Sequence, residues 1–245
     1  MAANSTTPAW ESTACSDPGR VRESNEDAVR IDPALGLVCV CDGMGGHASG
    51  EVASGLAVAA IHRAVAQAPG GEPAASLRSA LVDASNQIHQ RSEADPALRG
   101  MGTTAVAALL GKGRIAIAWA GDSRAYRYRA GRLEQRTTDH SLLQEFIQIR
   151  QPSPEEIARF PLKNVITRSL GTEPELEPET FEEVVAPGDL YLLCTDGLTN
   201  MVVDEAIAAI LASEPDLDTA CRRLVDAANE AGGADNITVA LARYR

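Results

Sequence analysis

This chain lacks several features that would settle its class at once. No apolar run is long enough to span a bilayer, so a membrane-spanning helix is not expected. Residues 1–8 carry neither a basic n-region nor an apolar h-region, and no signal peptide is read there. Basic charge is in deficit: 22 Lys and Arg stand against 34 Asp and Glu, a formal net charge of -12. That balance argues against nucleic acid or an anionic membrane as the main partner. Cysteines number five, an odd and scattered set (Cys15, Cys39, Cys41, Cys194, Cys221), which fits reduced thiols in a cytosol. Cys39 and Cys41 share one face of an expected strand, but no second Cys/His pair has zinc-ligand spacing. Repeats, low-complexity blocks and clear linkers are absent as well.

What is present is a chain whose residues are 44% hydrophobic, enough for a large core in one domain, taken as residues 1–245 with 1–8 expected to be disordered. Four short apolar runs end or begin at an aspartate beside Gly, Ser or Asn. Leu37–Cys41 runs into Asp42-Gly43, and Ile115–Trp119 runs towards Gly121-Asp122-Ser123. Leu190–Cys194 runs towards Asp196-Gly197, and Asp235-Asn236 opens Ile237–Leu241. Each run reads as a buried strand, so each aspartate sits at a strand end. One such residue would be a turn former or a helix cap. Four on separate strands suggest carboxylates gathered at one edge of a core, where a hard divalent cation is the usual compensation for their repulsion.

Further strands are expected around 10–16, 26–32, 103–110, 123–129 and 180–185, and Ala-rich helices around 48–68 and 74–94. Residues 141–160 read as helical but broken at Gln151-Pro-Ser-Pro154, and two more helices are expected near 204–213 and 216–231. Strand clusters with paired helices, without regular alternation, indicate an α+β fold: two antiparallel sheets packed together with helix pairs outside. Gly43-x-Gly45-x-x-Ala48 also fits a dinucleotide fingerprint, but a second helix follows where a βαβ unit needs a strand. In Gly19–Asp27, the acidic pair Glu26-Asp27 could help hold a metal and an arginine could clamp a phosphate bidentately.

Eight segments, in order, resemble the PPM family of metal-dependent serine/threonine protein phosphatases (protein phosphatase 2C-like) in its bacterial form. They are Ser16–Asp27, Val40–Glu51, Gly102–Thr104, Ala120–Arg124, Thr138–Ser141, Asn164–Gly171, Leu193–Leu198 and Gly233–Val239. The resemblance implies a four-layer α-β-β-α sandwich and a catalytic site holding Mn2+ or Mg2+, two core ions and a third, weaker one. Asp42 would bridge two metals, with the Gly43 carbonyl on one of them. Asp196 and Asp235 would hold the other, and Asp122 with Asp196 the third. Glu26 and Asp27 would support the metals, partly through water, and Arg22 would bind phosphate.

The activity so implied is hydrolysis of phosphoserine and phosphothreonine in proteins by a metal-bridging hydroxide, since two nearby divalent ions can bring the pKa of such a water to about neutrality. It would reverse a bacterial Ser/Thr kinase. A cysteine-nucleophile phosphatase is disfavoured, because no cysteine is followed by the Cys-x5-Arg pattern. Many eukaryotic relatives carry histidine where this chain has Met44, a side chain that cannot donate a proton; bacterial relatives commonly share the methionine. A metal-bound water is then the expected acid. His47 lies near, and His140 is expected to fix its own loop through hydrogen bonds. Residues 141–163 correspond to the flap beside the active site. A monomer in the cytoplasm is expected, acting on phosphorylated protein substrates. The alternatives are a non-enzymatic sensing or scaffold module on the same fold and a phosphatase for an anti-sigma-factor antagonist.

Overall fold

The computed structural model describes residues 9–45, 48–68 and 70–245. The chain opens with β1 (Trp10–Asp17), β2 (Asp27–Asp32) and β3 (Leu37–Met44), then two long helices, α1 (Ala48–Gln67) and α2 (Pro73–Ala94). A short β4 (Gly102–Thr103) precedes the meander β5 (Ala105–Gly111), β6 (Arg114–Ala120), β7 (Arg124–Arg129) and β8 (Arg132–Gln135). Two small helices follow, α3 (Leu142–Arg150) and α4 (Pro154–Ala158), and then β9 (Glu179–Val184) and β10 (Leu190–Cys194). The chain closes with α5 (Asp196–Thr199), α6 (Asp204–Ser213), α7 (Leu217–Glu230) and β11 (Ile237–Tyr244). The expected disorder of residues 1–8 and the position of His47 fall outside the described residues.

The strands form two antiparallel sheets, one in the order β1-β11-β10-β7-β8, the other β2-β3-β5-β6-β9 with β4 against β3. Strand periodicity explains the layers. Along β3, Val38 and Val40 face the opposite sheet, where they join Ile117, Tyr191, Leu193 and Ala240 in the central core. Leu37, Cys39 and Cys41 face the other way, onto Ala53, Ala57 and Ile61 of α1 and Leu77, Leu81 and Ile88 of α2. The second sheet repeats this: Leu192, Cys194, Val239 and Leu241 pack under α6 and α7. Both faces of the central strands are therefore buried, which is why they read as unbroken apolar runs rather than as an alternation. The result is the expected four-layer sandwich.

Local chemistry sets the element ends. Pro73 starts α2 with Glu72 capping the Ala75 N–H, and Asp216 caps α7 through the Thr219 N–H. The helices α3 and α4 part where the prolines predict it. Gln151 ends α3 in the left-handed region at φ 47, and Ser153 starts α4 with a capping box to Glu156 and Pro154 at the first turn. Stacking of Phe146 on Phe160, with ring centroids 4.7 Å apart, ties α3 to the residues that follow α4.

Candidate metal centre and active site

Five strand ends and one loop meet at the same edge of the sandwich. Asp42, near the end of β3, pairs in register with Asp27, the first residue of β2. Directly opposed like charges destabilise a sheet, so this pair needs compensation. Asp196 opens α5 just after β10; Asp122 lies in the bend between β6 and β7; Asp235 precedes β11. The loop 18–26 brings Arg22 and Glu26. Arg22, Glu26, Asp42, Gly43, Asp122, Asp196 and Asp235 all line one open cleft of about 600 Å³, and Asp27 lies against it. Every site residue named from the sequence is thus brought to this edge.

Close backbone packing makes the convergence possible. Gly43 donates its N–H to the Glu26 carbonyl at 3.1 Å, and a Cβ at Gly43 would lie 2.2 Å from the Gly50 carbonyl oxygen of α1. A Cβ at Gly197 would come within 2.0 Å of the Asn236 carbonyl oxygen. Only glycine lets these chains approach so closely. Asp42 is fixed through its backbone: its N–H donates to Thr104 Oγ1 at 3.0 Å, and its carbonyl accepts from Thr103 Oγ1 at 2.7 Å and the Thr104 N–H at 2.9 Å. Thr195 Oγ1 donates to Asp27 Oδ2 at 2.9 Å, and Asn200 donates to Asp196 Oδ2 at 2.9 Å.

Asn236 does most to shape the loop. Its Oδ1 accepts from the Glu26 N–H at 2.8 Å, while its Nδ2 donates to the carbonyls of Ser24 at 2.8 Å and Pro18 at 3.0 Å. In the sequence Asn236 stands out only as the neighbour of Asp235. Its role, like those of Thr103, Thr104 and Thr195, depends on partners far away in the chain, though all four fall inside the ordered motifs. Of the other histidines, His62 bonds Asp32 at 2.8 Å and His89 approaches the Gly171 carbonyl at 3.2 Å, both away from the cleft. Cys39 and Cys41 lie buried with sulfurs 3.8 Å apart.

The electrostatics are those of an uncompensated acidic cluster. Burial, reinforced by Asp27, Asp196, Asp122 and Asp235, pushes Asp42 well above the usual carboxylate range. Burial likewise raises Asp27 to about 7, against the pull of its hydroxyl partners. Asp122 rises to about 7 through burial and the charge of Asp196. Asp196 is raised by burial and by Asp235, with Asp42 and Asn200 opposing. These side chains keep some exposed surface because they form the cleft floor, yet their carboxyls sit deep enough for desolvation to dominate. Arg22 Nη2 donates to Asp235 Oδ2 at 2.7 Å, and the charge of Arg124 acts on Asp122 and Asp196. Burial lowers the Arg22 pKa, and the bond to Asp235 with the charges of Asp235, Glu26 and Asp42 more than reverses that.

A divalent cation fits this chemistry. The donors are hard oxygens in excess of nearby positive charge, and buried Asp27 Oδ1 has no hydrogen-bond partner. Among the described residues no three acidic, His or Cys side chains converge on one ion-sized point. Backbone carbonyl oxygen and water must therefore complete any shell, as is usual for Mg2+-like cations.

The protein phosphatase 2C family profile matches residues 20–241. The chain belongs to that family. It is 40% identical over 227 residues, 93% of its length, to the serine/threonine protein phosphatase PstP of Mycobacterium tuberculosis, and spans 43% of that relative. It is 39% identical over 232 residues to the serine/threonine phosphatase stp of Listeria welshimeri, covering 92% of each chain. A crystal structure of PstP matches with a TM-score of 0.90 at 38% identity, covering 96% of this chain and 99% of that one. The PstP catalytic domain in complex with two manganese ions matches with a TM-score of 0.87 at 38% identity, covering 96% and 97%. The α-β-β-α sandwich is thus the protein phosphatase 2C fold.

Proposed function

We propose that the chain hydrolyses phosphoserine and phosphothreonine in proteins with the help of divalent metal ions. The observation that carries the reading is the convergence of Asp27, Asp42, Asp122, Asp196 and Asp235 on one cleft with Arg22 at its wall. Asp42 and the Gly43 carbonyl, Asp196 and Asp235 would hold two core ions, Mn2+ or Mg2+. Asp122 with Asp196 would hold a third, and Glu26 and Asp27 would support the set. The manganese-bound neighbour supports the two core ions. When bound, such cations activate water and neutralise charge on a phosphoryl group.

The remaining roles belong to the chain's own groups. Arg22 presents a guanidinium fork at the cleft wall, suited to two phosphoryl oxygens. Asn236 holds the loop that carries Arg22 and Glu26, so phosphate clamp and carboxylates keep one spacing. Thr103 and Thr104 fix the Asp42 backbone so that its carboxylate need not reorganise. Met44 lines the cleft, and no described lining residue is a histidine or lysine. In this reading the leaving serine or threonine alkoxide would take its proton from water.

We read residues 1–245 as one catalytic domain with residues 141–163 as its flap. The physiological substrates would be the phosphorylated targets of a Ser/Thr kinase, met in the cytoplasm by a monomer. No helix among the described residues is long and apolar enough to cross a membrane. Release of phosphate from a phosphothreonine peptide, measured with Mn2+, with Mg2+, with EDTA and for Asp196→Asn, tests the reading. Metal-dependent release lost in EDTA and in the variant is expected. No release by the folded, metal-bound protein would turn the assignment towards a sensing module.

A further inference from the structure

We propose that His140 is a positioning residue for Asp122: it grips the Gly121 backbone from both ends and ties the aim of the neighbouring carboxylate to the root of the flap. This rests on the reading in which Asp122 helps hold a divalent ion.

The grip is two-sided. The His140 N–H donates to the Gly121 carbonyl at 2.9 Å, and His140 Nδ1 accepts from the Gly121 N–H at 3.1 Å. An Nδ1 that accepts leaves the ring proton on Nε2, which lies 3.3 Å from Glu179 Oε1 and can donate to it. The ring is buried and lies nearly parallel to Trp119, with centroids 6.1 Å apart. Burial and the charge of Arg168 lower its pKa, which favours the neutral, accepting ring.

Gly121 needs an external clamp. It sits at φ +111, and a Cβ there would lie 2.6 Å from Thr104 Cβ, so no side chain can lock it. The residues beyond Asp122 are also held. Ser123 Oγ meets Thr104 Oγ1 at 2.7 Å, and Arg124 forks onto Asp139 through Nε at 2.9 Å and Nη2 at 2.7 Å. Asp122 is therefore suspended between anchors, and two of them, Asp139 and His140, are consecutive residues immediately before the flap.

The same residue pins both flap roots. The His140 carbonyl accepts from the Thr167 N–H at 2.9 Å, and Leu142 donates to the Val165 carbonyl at 2.9 Å. Ser141 pairs with Ile166 across the base and caps α3 through the Gln144 N–H at 3.2 Å. A displacement of the flap root is thus passed through one imidazole to the peptide that precedes Asp122.

The test compares two polar replacements in the whole chain, with Mn2+ as the probe and titration calorimetry as the readout. In His140→Asn the side-chain carbonyl falls near Nδ1 and can still accept from Gly121; in His140→Gln it falls near Nε2 and cannot. Asp122→Asn should abolish the weakest Mn2+ site, which identifies that site. His140→Gln should weaken the same site by about 10- to 100-fold, as loss of a supporting partner typically does, and leave tighter sites unchanged. His140→Asn should titrate like wild type. A Gln variant that binds like wild type overturns the inference, and so does equal weakening of both variants. If the Gln variant does not fold, a weakened but folded Asn variant still overturns it. An Asp122→Asn titration identical to wild type instead removes the reading of Asp122 as an ion ligand, a separate failure that takes the inference with it.

Discussion

Removing divalent ions should make this protein lose stability as the pH rises from 5 to 8. Asp27 and Asp122 are each raised from the ordinary 3.8 to about 7 in the fold. A raised carboxyl is protonated more readily in the folded chain than in the unfolded one. Its stabilising contribution is complete below about pH 3.8 and is lost as the pH climbs through about 7. For one such group the full window corresponds to about 4 kcal/mol, of which about 2 kcal/mol falls between pH 5 and 7. The two groups share the field of Asp196, so one group's value is the safer expectation. His140, lowered by burial and Arg168, works in the opposite direction: its contribution grows as the pH rises through its folded pKa towards 6.5. That component should be the same with and without metal, whereas the carboxylate component should not. A cation bound at the cluster favours the ionised carboxylates and adds stability by mass action, about 2.7 kcal/mol at a hundred times its dissociation constant. Denaturant unfolding at pH 5, 6, 7 and 8, in EDTA and in saturating Mg2+, separates the two. The gap between the curves should widen with pH by about 2 kcal/mol from pH 5 to 7. A gap that is constant or narrows would refute the argument that these carboxylates are strained together.

Other perturbations follow from the same contacts. Gly197→Ala places a Cβ 2.0 Å from the Asn236 carbonyl oxygen. It should cost about 1–3 kcal/mol in unfolding experiments and, by moving Asp196 or Asn236 on the order of 1 Å, about 100-fold in kcat. Asn236→Ala removes three bonds that shape the loop around Glu26; a fall in Tm of roughly 6–12 °C is expected, for a loss of about 3 kcal/mol. Arg22→Ala should lower kcat/KM on a phosphothreonine peptide by roughly 10- to 100-fold, the worth of a charge-assisted pair of bonds, with metal binding retained. Exchanging residues 148–154 for a glycine-containing turn should change peptide preference without removing metal-dependent hydrolysis; an unchanged preference profile would count against a specificity role for the proline-stiffened turn.

The sequence revealed as much as it did because the strands are buried on both faces. Unbroken apolar runs such as Leu37–Cys41 and Leu190–Cys194 stand out, and an aspartate at the end of each marks the edge where they stop. Ordered motifs then located Arg22, Glu26 and Asp27. What stayed hidden depends on distance in the chain rather than on pattern. The register that sets Asp27 opposite Asp42 is fixed by packing under α1, not by either residue alone. Asn236 bonds to Pro18 and Ser24, more than 200 residues away, and no local signal shows this. The four-residue α5 is too short for any helical period to register, and β4 has only two residues. The turn at Ala130-Gly131 was legible through its glycine, although Ala130 also takes a left-handed φ of 50 that propensity would not assign to it.

The central claim is that the carboxylate cleft holds the ions on which hydrolysis depends. Anomalous diffraction from crystals grown with Mn2+ tests it most directly. Strong manganese peaks are expected beside Asp42, with Asp196, Asp235 and the Gly43 carbonyl among the ligands. Crystals of active protein with no manganese in the cleft, or with manganese bound only elsewhere, would contradict it.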